Sequence, residues 1–450
     1  MKQLYLKCLL FGIFSLIGIK AAAYDCKVDG IYYNLDTTAK TASVTYQKIN
    51  YNSYGNRFFY SDYTGNVTIP SSFSFNGTTY SVTSIGSNAF YYRSGLTDVT
   101  IPNSVISIGD YAFIGCSGLT EVAIPNSVTS IGGSAFSGCI GLTEIAIPNS
   151  VTSIGYHAFS SCNGLKSIVI PNSVSSIGDN AFSDCYDLTS IIFEDGSATL
   201  SFGGSNIFEY CPIEVVYLGR DVNNYSPFSN KTLLTSVTIG NRVTSIGQSL
   251  FNGCTGLTSI SIPNSVTSIG DNAFNGCSGL ATLSLSNSLE SIGASAFQDC
   301  IGLTSVTIPN NVTSIGDNAF NGCSGLTTLS LSNSLESIGA SAFQNCTGLT
   351  FVTIPNSLTT IGASAFSGCT GLTSVTIPNN LTTIGASAFS GCTGLAFVTI
   401  PNSLTTIETS AFSGCTGLTS VIIPNSVTSI EGYAFQNCTG LTSITIPNCV

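Results

Sequence analysis

The apolar residues of this chain fall into two short alternating runs and one compact cluster, and the set returns every 23 residues. Residues 303–325, LTSVTIPNNVTSIGDNAFNGCSG, show one period. Val306 and Ile308 stand two apart, which predicts a strand with both side chains on one face and Ser305 and Thr307 on the other. The β-branched run from Val312 to Ile315 predicts a second short strand. Pro309-Asn310 separates the two, because proline has no N–H to give to a ladder. Gly316 turns the chain into a segment carrying Ala319, Phe320 and Cys323, which predicts a single helical or 3-10 turn. Gly322 and Gly325 are expected where the backbone takes positive φ.

The phenylalanine marks the register. It recurs at Phe90, Phe113, Phe136, Phe159 and Phe182, and again from Phe251 at every 23rd residue to Phe435. Phe208 and Phe228 fill the interval after one long step and one short step, making sixteen coils. One coil cannot enclose its own apolar face, so copies must stack, each strand bonding its equivalent in the next. The predicted fold is a repeat solenoid over residues 81–450, irregular at 186–240, with short parallel β-strands. Residues 24–80 break the repeat. Their Tyr and Thr content, with turn signals at Asp29-Gly30 and Asn76-Gly77, predicts a β-rich cap. Arg93 stands where later coils carry Cys, as in an atypical terminal repeat.

The pattern LxxVxIxxxVxxIGxxAFxxC, with units such as IPNSVTSIGDNAFNGC at 262–277, resembles the leucine-rich repeats of the BspA-like surface proteins. The resemblance runs from about residue 80 to 450. It implies a 23-residue leucine-rich repeat fold in an extracellular, often cell-surface protein, some of whose relatives adhere to host matrix proteins or other cells. The segment 192–228 also looks like an irregular insert of that family.

The first residues read as an export signal: Lys2 and Lys7, an apolar stretch too short to span a bilayer, then Ala21-Ala22-Ala23. Residues 1–23 are expected to be removed, leaving nine Lys and Arg against 23 Asp and Glu, a formal −14. A lipidated anchor fits poorly, since Lys7 and Asp25 precede the candidate cysteines. No later stretch reads as a membrane span. Such an acidic, charge-poor chain is unsuited to nucleic acid or anionic lipid, both of which need clustered cations. Cys449 directly follows the last Ile-Pro-Asn with no polar cap, so self-association through an uncapped final coil is one expectation.

Chemistry-bearing residues are sparse. Most of the 17 cysteines fall three residues after the Phe of their coil, the mark of a small apolar residue filling a buried column. Disulfides between coils are the alternative in an oxidising compartment, though parallel inward thiols have poor geometry for one. Cys26 and Cys449 lie outside that column and are the better candidates for reactivity. His157, the only histidine, takes a place held elsewhere by Asn or Ser and is expected to be exposed, with no triad partner. No pattern for a metal or any cofactor is present, and catalysis is not expected.

Binding is. The outward strand positions form Ser/Thr columns, either a solvated β surface or a ligand-binding sheet. Phe351 and Phe397 replace Ser two coils apart, and Asp98, Glu121 and Glu144 place acids on three consecutive coils. Arg220 and Tyr225 sit in the irregular coils, where inserts favour interaction. These seven are the candidate partner-binding residues. The expected function is adhesion or protein binding through the exposed β face of a secreted or cell-surface protein, with extracellular or host-surface proteins as partners. The alternative is a structural surface-layer or spacer rod; binding to ice or mineral is a remoter one.

Overall fold

The computed structural model of the chain describes residues 23–51, 57–223, 225–448 and 450. The expected leader, save Ala23, and Cys449 therefore lie outside the described residues. The chain forms two compact units. One holds the N-terminal residues to Ile191 together with 200–211; the other holds 192–199 and 212–450.

In the first unit, strands β1 (Cys26–Val28), β2 (Ile31–Asp36) and β3 (Thr41–Thr45) pair antiparallel in order. Two further strands, β4 (Lys48–Tyr51) and β5 (Arg57–Tyr60), make a separate hairpin. Then β6 (Gly65–Thr68) and β7 (Ser72–Phe75) lead to the long β8 (Thr78–Ile85), which joins the two architectures. It pairs with β3 on one side, and its Ser84-Ile85 pair opens the parallel ladder of the coils on the other. That ladder then runs coil by coil through Ser107–Ile108, Ser130–Ile131, Ser153–Ile154 and Ser176–Ile177 to Ser201–Phe202. Arg93, the residue in place of cysteine, fastens this junction. Its Nη1 donates to the Ser61 carbonyl at 2.6 Å, its Nε to the Tyr91 carbonyl, and its guanidinium lies 5.2 Å from the Tyr60 ring centroid.

Each unit is filled by a column of phenylalanines. Rings Phe90, Phe113, Phe136, Phe159, Phe182 and Phe208 stack at 4.8–5.7 Å in the first unit. Ten more, Phe228 and then Phe251 to Phe435 at 23-residue steps, stack at 5.3–5.8 Å in the second. Phe320 is fully buried. In the second unit both strand rows recur coil by coil, in ladders broken at intervals: Ser305–Thr307 pairs with Thr328–Ser330, and Ser314–Ile315 with Ser337–Ile338.

The third side of each coil differs from expectation. Among the described residues it contains no helix, only consecutive turns. The backbone bonds explain why. The N–H groups of Ala319, Asn321 and Cys323 donate within their own coil, to Gly316, Asn318 and Phe320. Those of Asn318, Phe320 and Gly322 donate instead to Ala340, Ala342 and Gln344 of the next coil, each at 2.8 Å. A helix would need every donor for itself; here alternate donors serve the stack. The alternation requires left-handed backbone at two places per coil, such as Asn318 (φ 56°) and Gly322 (φ 75°). Gly325 is a different case. It has no positive φ, but a Cβ there would run into the Ile301 carbonyl oxygen of the preceding coil.

The cysteine column is buried from Cys116 to Cys415, half-buried at Cys438, and unbridged. Each thiol donates to the carbonyl of a phenylalanine in the coil before: Cys323 Sγ to Phe297 O at 3.2 Å, and Cys116 Sγ to Phe90 O at 3.0 Å. Burial pushes the Cys323 and Cys369 thiols up to about 12, away from the reactive thiolate form. Cys26, expected to be reactive, is buried as well, and desolvation with help from Asp25 raises its pKa.

Candidate functional site

Strand alternation turns every second side chain of the first strand row outward, so its outward residues form two parallel columns. In the first unit one column begins Asp98, Glu121, Glu144, Ser167 and the other Thr100, Ala123, Ala146, Val169. Glu121 and Glu144 are exposed and Asp98 half-buried. These residues line one trough of about 720 Å³, whose floor also includes Val99, Ile101, Val122, Ile145 and Ile147.

Beneath the trough the ladder is interrupted. Strand β9 (Leu96–Thr100) pairs with β6, not with the coil that follows. Among the described residues, the coils carrying Glu121 and Glu144 form no strand on this face and share only the isolated bridge Ala123–Ala146. The second row of the same coils is fully paired. Like charges directly opposite one another weaken a strand pair, and carboxylates on neighbouring coils meet at one ladder spacing. The coils keep their spacing, with Phe113–Phe136 at 5.1 Å and Phe136–Phe159 at 5.3 Å, and Ile145 at 8% is no more exposed than Val237 at 9% in a paired ladder. The pattern of acids was legible in the sequence; the interrupted ladder was not.

In the second unit Phe351 and Phe397 are 52% and 55% exposed. Both pair with Ser374, which lies between them. Ser374 is half-buried where Ser305 and Ser420 in the same column are exposed, as expected of a hydroxyl flanked by two rings. Ile422, at 75% exposure, adds a third outward apolar residue one coil on from Phe397, paired with Thr399. Reading the columns for aromatics alone passed over it; the signal was the loss of Thr from an otherwise Ser/Thr column.

The irregular coils divide. Tyr225 is exposed, but Arg220 is completely buried. Desolvation lowers its pKa and Glu194 opposes that shift. Arg220 therefore presents no surface to a partner, and its place is structural. Asp195 accepts a hydrogen bond from Tyr217 Oη at 2.7 Å, and Asp221 from the Thr244 and Ser245 N–H groups. His157 is half-buried with φ 50°, its ring edge-on to Tyr156. Among the described residues no group of His, Cys, Asp and Glu is placed to hold a metal ion, and no helix is long and apolar enough to cross a membrane.

Residues 83–214, 220–350 and 336–450 match the BspA type leucine rich repeat region. A crystallised leucine-rich repeat protein from Bacteroides ovatus is 31% identical, over 90% of this chain and 95% of its own, with a TM-score of 0.61. A leucine rich cell surface protein from Faecalibacterium prausnitzii is 27% identical, over 93% of this chain and 98% of its own, with a TM-score of 0.35. Among curated proteins none is significantly similar.

Proposed function

Since the chain belongs to the BspA-type leucine-rich repeat family, we propose that it is an exported or cell-surface protein that binds extracellular protein partners through its outward strand columns. The export signal read in residues 1–23 supports that location, as does the surface description of the Faecalibacterium protein.

The observation that carries the reading is the interrupted ladder. In the second unit every coil keeps a strand on this face, with outward Ser and Thr paired as in Ser305–Thr307 with Thr328–Ser330, although the row is broken between some coils. The coils of Glu121 and Glu144 form no strand there, beneath an acid-rimmed trough with an apolar floor. A local rule broken without structural gain is the signature of a functional surface. The chemistry fits an extended segment with Lys or Arg side chains facing the acids and small apolar groups on the floor. Phe351, Phe397 and Ile422 supply a separate apolar contact of the kind that anchors interfaces.

The test is a binding screen of the mature chain against matrix proteins and Lys/Arg-rich peptides, at low and moderate salt. Binding should weaken with salt, and in the Glu121→Ser/Glu144→Ser variant. Phe351→Ser/Phe397→Ser should weaken any ligand that uses the second unit. Uniform failure to bind, or binding indifferent to all four substitutions, would leave the spacer rod as the better account.

A further inference from the structure

Away from the strand columns, the turn side of the first unit carries a band of aromatic residues that the coil architecture does not need. Tyr92 is 56% exposed and Tyr156 47%. The rings touch in sequence: Phe59 against Tyr91 at 5.3 Å and Tyr91 against Tyr92 at 4.7 Å between centroids, and Tyr111 Oη to Tyr156 Oη at 2.8 Å. Two of them lie against glycine. A Cβ on Gly115 would stand 2.6 Å from the Tyr92 ring, and one on Gly133 would strike Tyr156. A ring settled on bare backbone keeps its outer face free. In the second unit the equivalent turn positions hold small or polar residues almost throughout, with Tyr225 and Tyr433 the aromatic exceptions.

Beside this band runs a groove of about 440 Å³. Tyr92 forms its end, Gly115 and Gly138 lie along it, and Ser94, Ser117, Ser137 and Ser161 bring hydroxyls to it. Ile114 adds an apolar wall, and among the described residues no charged side chain lines it. We propose that this groove is a binding site for a neutral oligosaccharide, with one sugar stacked on Tyr92 and the following sugars hydrogen-bonded to the serine hydroxyls. Three observations point to that chemistry over a protein segment or an anionic glycan. The lining offers an aromatic face and hydroxyls but no salt-bridging group, which suits the C–H face and hydroxyl rim of a pyranose. The chain's net charge of −11 disfavours sulfated or uronic sugars. The coils of this region repeat at 4.8–5.3 Å, close to the length of one pyranose along a β-1,4-linked chain, so successive sugars meet successive coils in register. The site is independent of the strand columns.

Calorimetric titration of the mature chain with cellohexaose, β-1,4-mannohexaose and chitohexaose tests it, with maltohexaose and a heparin hexasaccharide for contrast. Saturable binding to at least one β-1,4-linked sugar, tighter than to maltohexaose or heparin, is expected. Tyr92→Ala should weaken it by roughly tenfold or more. So should Ser117→Ile, which fills the groove in a column that holds Ile140 without disturbing the coil. Glu121→Ser/Glu144→Ser should leave it unchanged, and thermal melting of each variant checks the fold. No binding to any of the three sugars overturns the proposal. So does sugar binding that survives both groove variants, preferential binding of heparin, or a loss of protein binding alone in Tyr92→Ala.

Discussion

At the scale of the residue, two glycines of one coil should respond in opposite ways to substitution. Gly391 has φ 72°, and a Cβ there would meet nothing closer than 3.6 Å. Asn230, Asn345 and Asn437 occupy the same column with φ near 60°. Gly391→Asn should therefore shift stability by less than about 1 kcal/mol in urea unfolding. A Cβ on Gly394 would stand 2.7 Å from the Thr370 carbonyl oxygen, so Gly394→Ala must displace backbone and should cost about 1–3 kcal/mol. Both glycines were visible as repeats in the sequence. Which one served φ and which served close approach was not, because that depends on the neighbouring coil. The thiols give a pH prediction. Folding raises a column cysteine such as Cys323 from 9.0 to about 12. The stability tied to the neutral thiol is thus complete below about pH 9 and is lost as pH climbs toward 12. Melting temperature should fall over that alkaline window, and a maleimide at pH 8 should label the column only after denaturation. The even spacing of the cysteines foretold their burial. The burial of Cys26 and Arg220 was hidden, since both lie in irregular chain with no period to place them.

At the scale of the element, the interrupted ladder of the first unit makes a stability claim that can be separated from binding. Replacing Glu121 and Glu144 by serine removes the facing charges and restores the residue type of the closed ladders. The double variant should gain roughly 0.2–1 kcal/mol per relieved pair, seen as a higher melting temperature, with the gain shrinking in high salt. A fall in stability would mean that the facing acids do not weaken the ladder. The strand rows themselves could be read from Val306 and Ile308 and from the run ending at Ile315. The turn row was expected to make a single helical or 3-10 turn, and its bonds within a coil do span three residues, but they come as separate turns and not as a helix. Apolar spacing says nothing about whether Phe320 N–H bonds inside its own coil or to Ala342 of the next.

At the scale of the whole molecule, interchangeable coils imply that length is adjustable in whole repeats. Residues 324–369 form two coils bounded by equivalent positions, and their removal brings Cys323 to Thr370, the same junction that Cys369 makes now. The shortened chain should fold with unchanged circular dichroism per residue and a smaller urea m-value, in proportion to the surface lost. Removing 47 residues instead should break every column beyond the cut. One feature of the coils also bears on how the second unit carries a load. Its strand bonds and alternate turn bonds run from coil to coil, along the direction of the Phe320–Phe343 stack. Tension applied along that direction meets few bonds at a time and peels coils singly. Each 23-residue coil released turns a rise of 5.4 Å into roughly 80 Å of extended chain. A tether made this way lengthens in instalments under shear and lets go of its cargo late.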